Sequence, residues 1–188
     1  LKKILGFAKQ RSIPRLFPVT LKKWCRKNLE GLNNSLAKPV GSAYFFIDEF
    51  TDYNDTETGI TAIRLVNHLG YKVHTTKHQI SGRTFFSKGL LRTARKIAIR
   101  NIEAFKNIVN ENIPLVGIEP SAILSFRDEY PDLAGQSLRE DAIILSKNCL
   151  MLDEFLMREM QAGLISKTRF TSEARKIFGR SRTSLPPW

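Results

Sequence analysis

Apolar residues follow two rhythms along this chain. Short continuous runs, bounded by polar or turn residues, read as buried strands. These are "SAYFFID", placing a strand at Ala43–Ile47, then "YKVHTT", then "IPLVGIEP". Between them apolar residues recur at helical spacing. In "TETGITAIRLVNHLG" the inward positions are Ile60, Ile63, Val66 and Leu69, with Gly70 suited to end the helix. In "SKGLLRTARKIAIRNIEAFKNIVNE" they are Leu90, Leu91, Ala94, Ile97, Ala98, Phe105 and Ile108. "SAILSFRDEYPDL" opens a further helix, with Ser121 as N-cap and Pro131 as its stop. Two more helices are expected near Ser137–Asn148 and Met151–Ala162.

Strand and helix alternate three times, and the strands are continuously rather than alternately apolar. That pattern predicts an α/β fold: a small parallel sheet of three or more strands with helices on both faces, a Rossmann-like three-layer sandwich with extra C-terminal helices. Right-handed crossovers are expected. The domain is expected over residues 39–165. Residues 1–38 read as a basic lead-in with one short helix around Leu21–Leu29, and residues 166–188 as a basic tail.

Charge refines this division. The net charge is +12, but it sits at the ends. Residues 1–38 carry ten Lys/Arg against Glu30, and residues 166–188 carry six against Glu173. The middle holds fourteen bases and sixteen acids, so it lacks the basic face of a nucleic-acid reader, and no nucleic-acid partner is expected. The basic ends suit an acidic partner or peripheral contact with an anionic membrane surface. No apolar run approaches a membrane span, and "LKKILGFAKQRSIPRLF" lacks the features of a signal peptide. The expected location is the cytoplasm or the inner face of its membrane. A chain beginning at Leu1 is expected to be a piece of a longer protein. Two distant cysteines, Cys25 and Cys149, make neither a disulfide framework nor a metal knuckle.

In open parallel sheets ligands bind beyond the carboxyl ends of the strands. That rule selects "DEFTDYND", "HQISGRT" and "EPSA". They carry Asp48, Glu49, Asp52, His78, Ser81, Gly82, Arg83, Glu119 and Ser121 as candidate ligand-binding residues. Glu49, His78 and Glu119 are also a candidate set for a divalent metal. Each has a structural alternative. Glu119–Pro120 also reads as a strand end, Ser121 as a cap, Asp48 and Glu49 as solvated loop acids. Arg83 also reads as an ion-pair partner of Glu49 or Glu119, and His78 as a solvated ring. The phosphate-loop and dinucleotide glycine patterns are absent. No Ser-His-Asp or Cys-His spacing suggests a nucleophile, so no catalytic residue is assigned.

The blocks "YFFIDEFTDYNDTETG", "SGRTFFSKGLLRTARK", "PLVGIEPSAILSFRDEYPDL" and "LMLDEFL" together resemble the cysteine-rich CCG domain. That domain occurs in the iron–sulfur subunits of FAD-linked oxidases of the glycolate oxidase and D-lactate dehydrogenase type. The resemblance covers about residues 40–160. In that family one cysteine follows the first strand, a Cys-Cys-Gly follows the second and a Cys-x-x-Cys the third. Here the matching positions are Glu49; Ile80, Ser81 and Gly82; and Glu119, Pro120, Ser121 and Ala122. Gly82, Arg83, Ser87, Lys88 and Gly89 keep the family pattern, and every thiolate is gone.

The resemblance implies a segment of a 2-hydroxy acid oxidoreductase that holds no cofactor itself. FAD and iron–sulfur clusters are expected in the complete protein, and flavin-binding and ferredoxin-like modules as partners. The second cysteine repeat of the family would begin near "FGRSRTSLPPW", where no such motif stands. A surface meant for a missing half predicts self-association. Two other readings of the residues stay open. One is a small-anion or divalent-metal module using Glu49, Arg83 and Glu119; the other is a basic interaction module.

Overall fold

A computed structural model describes residues 16–171 and residue 173. The first fifteen residues of the lead-in and most of the expected tail lie outside the described residues. The sheet has four parallel strands in the order β2-β1-β3-β4. They are β1 (Gly41–Phe45), β2 (Tyr71–His74), β3 (Leu115–Gly117) and β4 (Cys149–Met151). The α/β sandwich expected from the apolar runs is the fold observed. β1 starts two residues before the expected strand, and its pairing persists to Phe46, whose N–H donates to Val116 O at 2.8 Å.

β4 escapes the sequence reading. Its three residues lie between two helical patterns and read locally as a helix junction. Pairing with β3, Leu115 opposite Cys149 and Gly117 opposite Met151, makes it a strand. β2 lies at the other edge, and its exposed backbone is covered from within the chain. Asn33 Oδ1 accepts from Val73 N (3.0 Å), and Asn33 Nδ2 donates to Val73 O (2.8 Å). One amide side chain thus imitates a neighbouring strand at the exposed edge.

One face of the sheet is covered by α1 (Leu21–Asn34), α3 (Thr56–His68) and α10 (Leu152–Gln161). The lead-in helix is therefore longer than expected and is part of the core: Leu21, Cys25 and Leu29 are buried with Ile63, Val66 and Val73. The packed unit begins well before residue 39. Gly59 permits this approach, since a Cβ there would lie 2.4 Å from Leu21 Cδ2. Gly70 closes α3 with φ +103°, as its position predicts.

The opposite face is covered by α5 (Leu91–Phe105), three one-turn helices and α9 (Arg139–Lys147). The turns are α6 (Pro120–Ile123), α7 (Ser125–Asp128) and α8 (Tyr130–Leu133), where one continuous helix is expected. Pro131 does not stop that helix; it stands in the first turn of a new one, where a missing N–H costs nothing. Phe46, Phe105, Phe126 and Tyr130 interlock here, with ring centroids 4.4 to 6.2 Å apart along the chain of contacts. α5 meets this core only from Ala94 onward. Leu90 and Leu91, expected inward, are 50% and 57% exposed, whereas Ile102 and Asn101 are buried.

If α1 were a loose lead-in, truncating its apolar face would cost little. Its burial predicts that Leu21→Ala lowers unfolding stability by about 2–4 kcal/mol, measured by urea denaturation.

Candidate functional site

The order β2-β1-β3 makes successive crossovers leave β1 in opposite directions. The crevice therefore lies beyond the carboxyl ends of β1 and β3. Three loops meet at this edge, as predicted, and hydrogen bonds join the first two.

After β1 the chain turns into α2 (Glu49–Tyr53). Asp48 caps that helix: its Oδ1 accepts from Phe50 N (2.8 Å) and Thr51 N (3.0 Å), and the Thr51 hydroxyl donates to Oδ2. Burial raises its carboxyl pKa, opposed by those hydrogen bonds. Both oxygens of Asp48 are engaged, so it is a helix cap rather than a ligand group. Asp52, also buried, accepts from the backbone N–H of Lys22 (2.9 Å) and pairs with its Nζ (3.8 Å), tying α2 to the start of α1.

Glu49 faces the second loop. Its Oε2 accepts from Ser81 N (3.0 Å) and its Oε1 from Ser81 Oγ (2.8 Å). Ser81 is fully buried, and its Oγ also accepts from Arg83 N (3.3 Å). Gly82 follows with φ +80°, a left-handed turn that leads into α4 (Arg83–Phe86). His78 is buried rather than solvated. Its Nε2 accepts from Ile47 N (3.4 Å), its Nδ1 donates to Gln79 O (2.6 Å), and its ring packs on Phe46 and Phe105. This fixes the Nδ1–H tautomer and uses both nitrogens. Burial pulls its pKa down to about 4, so the ring is neutral at physiological pH.

Two residues brace the second loop from the far face. Asn101 Oδ1 accepts from Gln79 N (2.8 Å), and its Nδ2 donates to Ile80 O (2.9 Å) and to the Tyr130 hydroxyl (2.8 Å). Tyr130 in turn donates to Ser81 O at 2.9 Å. Neither residue stands out along the chain as a loop brace. The signal was a polar Asn101 at an inward position of α5, between Ala98 and Phe105. A side chain there has to be hydrogen-bonded inside the protein.

The third loop makes no hydrogen bond to the other two among the described residues, though Ser121 shares a cavity with Arg83. Glu119 accepts from the Ser121 hydroxyl. Ser121 is exposed and caps nothing; the residue at the N-cap is Glu119, followed by Pro120. Arg83 makes no ion pair with Glu49 or Glu119 among the described residues. Its guanidinium lies 5.1 Å from the Phe50 ring centroid, and its buried Nε has no hydrogen-bond partner. It lines a cavity of about 490 Å³ with Ser121, Ser125, Asp128 and Glu129.

The candidate metal set is thus not assembled. Among the described residues no three His, Cys, Asp or Glu side chains are grouped to hold a metal ion. The donor set does not fit an iron–sulfur cluster either, because such clusters need thiolates and these loops offer carboxylates and hydroxyls. Cys25 and Cys149 lie buried in the two separate cores, and burial pushes both thiols upward, Cys25 to about 12. They are packing residues.

In sequence the chain is similar to parts of several dehydrogenases. It is 29% identical over 155 residues to D-2-hydroxyglutarate dehydrogenase of Haemophilus influenzae, covering 81% of this chain and 14% of that protein. It is 33% identical over 88 residues to D-2-hydroxyglutarate dehydrogenase of Pseudomonas putida, covering 47% of this chain and 9% of that protein. A third relative is one of the subunits of the anaerobic glycerol-3-phosphate dehydrogenase of Escherichia coli. Identity there is 27% over 156 residues, covering 82% of this chain and 37% of the relative. The chain therefore spans a small part of these relatives. No protein-family model matches it, and no solved structure matches it significantly.

Two outcomes test the site's construction. Glu49→Ala and Ser81→Ala, combined in a double-mutant cycle of urea unfolding, should show a coupling of about 1–2 kcal/mol. The second concerns His78. Its folded pKa lies below the ordinary 6.5, so in acid the unfolded chain takes up a proton that the folded chain refuses. Stability should fall as pH drops from 6.5 toward 4, by about 3 kcal/mol from this group. Urea unfolding across that window should show a shallower pH dependence for His78→Gln than for the wild type.

Proposed function

We propose that this chain is a segment of the iron–sulfur, electron-transferring part of an FAD-linked 2-hydroxy acid oxidoreductase. In this reading it is a scaffold without a cluster of its own, docking the flavin-binding and ferredoxin-like modules of the same protein or complex. Two lines support the oxidoreductase assignment: the similarity to D-2-hydroxyglutarate and glycerol-3-phosphate dehydrogenases, and the four sequence blocks that resemble the CCG domain in order and spacing.

One observation carries the scaffold reading. At positions where the resembled family places thiolates from two loops, the Glu49 carboxylate accepts both the N–H and the O–H of Ser81. A cluster would cross-link the loops through metal–sulfur bonds. Here two charge-assisted hydrogen bonds cross-link them, with no redox centre needed for the loops to hold their shape. Electrons would then pass through neighbouring modules, and this segment would fix their placement. Among the described residues no helix is long and apolar enough to cross a membrane. A setting in the cytoplasm, with the basic ends against its membrane or an acidic module, is part of the proposal.

Anaerobic reconstitution of the full chain with iron, sulfide and reductant tests this. After desalting, iron and acid-labile sulfide should remain far below stoichiometric, and the protein should be colourless. Stoichiometric iron and sulfide with a visible absorption band would overturn the scaffold reading.

A further inference from the structure

A second cavity of about 490 Å³ shares no lining residue with the Arg83 cleft. Lys22 and Arg26 of α1 line one wall, and Thr75, Thr76 and Lys77, just after β2, line another. Ile47 and His78 form the remaining lining. Three cations thus share a cavity near two carboxylates that are already engaged: Asp52, which pairs with Lys22, and Glu49, which acts on His78 and accepts from Ser81. Among the described residues Arg26 and Lys77 have no ion-pair partner. The half-buried hydroxyls of Thr75 and Thr76 form no hydrogen bond among those residues. His78 has both ring nitrogens occupied by Ile47 N and Gln79 O, so it contributes a wall and no ligand atom.

We propose that this cavity binds a phosphate group, free or as a small phosphate monoester. The lining is rich in donors and poor in acceptors. An ammonium brings three N–H donors, the Arg26 guanidinium four beyond the Nε–H that donates to Lys22 O (3.4 Å), and each hydroxyl one. A carboxylate presents two oxygens in one plane, whereas a phosphate presents oxygens over a tetrahedron. A tetrahedral anion has acceptor oxygens enough to meet donors that arrive from two walls at once. The walls are also well separated in chain position. α1 is pinned by Asp52, and the β2 loop is pinned by His78 and Asn101, so the residues that carry the cations stand on a built frame. The cavity is larger than one phosphate, and its Ile47 side suits a short carbon chain on a monoester.

The test is a calorimetric titration of the full chain with inorganic phosphate at fixed ionic strength, the balance kept with sodium chloride. The wild type should bind saturably, one phosphate per chain. Lys77→Met and Arg26→Met, both at exposed positions, should each weaken binding about tenfold, the loss of one charge-assisted contact. Thr76→Val should weaken it less. Lys96→Met, on α5 across the sheet, and Arg83→Met, in the other cavity, should bind like the wild type. The proposal fails if the wild type shows no saturable binding. It fails equally if Lys96→Met loses as much as Lys77→Met, since the chain's overall charge would then be the cause. Loss confined to Arg83→Met would move the anion to the other cavity and also overturn it. A competition with a three-carbon phosphate monoester separates the sources: tighter binding than phosphate assigns the site to monoesters, equal binding to the free anion.

Discussion

The carboxyl edge of the sheet depends on how buried polar groups of one loop are satisfied without water. Residues 78–82 follow β2 and are hydrogen-bonded to α5, with His78, Ser81 and Gly82 buried and Gln79 half-buried. An unmet group there costs about 1–3 kcal/mol. Glu49 takes the N–H and O–H of Ser81, Asn101 takes the N–H of Gln79 and gives to the C=O of Ile80, and Tyr130 gives to the C=O of Ser81. These partners come from three different elements. The loop is therefore a junction: α2, α5 and α8 are each held to it by hydrogen bonds, the one from Tyr130 to Ser81 O fully buried.

That junction explains the character of the site. A loop with its polar atoms committed to protein partners has few left for a ligand. Ser81 and His78 are saturated, and Glu49 commits both oxygens to Ser81. Binding capacity is pushed outward to the two flanking cavities. In one, Arg83 keeps a buried Nε without a partner; in the other, Arg26 and Lys77 keep unpaired charges. The edge thus has a centre whose polar atoms are committed to the protein, with a polar cavity on each flank.

The legible part of the site was its location. Continuous strands imply a parallel sheet, and a parallel sheet sends its carboxyl-end loops to one edge, so Asp48, Glu49, His78, Ser81 and Gly82 could be grouped from the chain alone. Their roles could not. His78 reads as a solvated ring in a basic loop, yet Phe46 and Phe105 bury it. Ser121 reads as a helix cap, yet the helix starts at Pro120, two residues earlier than that cap would place it, and leaves the hydroxyl to Glu119. Arg83 reads as an ion-pair partner, yet it rests on Phe50. In each case the deciding neighbour is set by packing rather than by sequence distance.

The order of residues settles the features that depend on local burial: three apolar strands, the helices α3, α5 and α10, the left-handed turn at Gly70, and the absence of cysteine from the three strand-end loops. Periodicity and backbone freedom are properties of neighbouring residues, so they can be read along the chain. Folding in three dimensions was needed to bring α1 into the core, to pair residues 149–151 as a fourth strand, to divide α6, α7 and α8 into separate turns, and to set Asn101 and Tyr130 against the second loop. Those outcomes rest on contacts between residues tens of positions apart. A three-residue strand or a buried amide is stable only where a partner stands ready to take its hydrogen bonds.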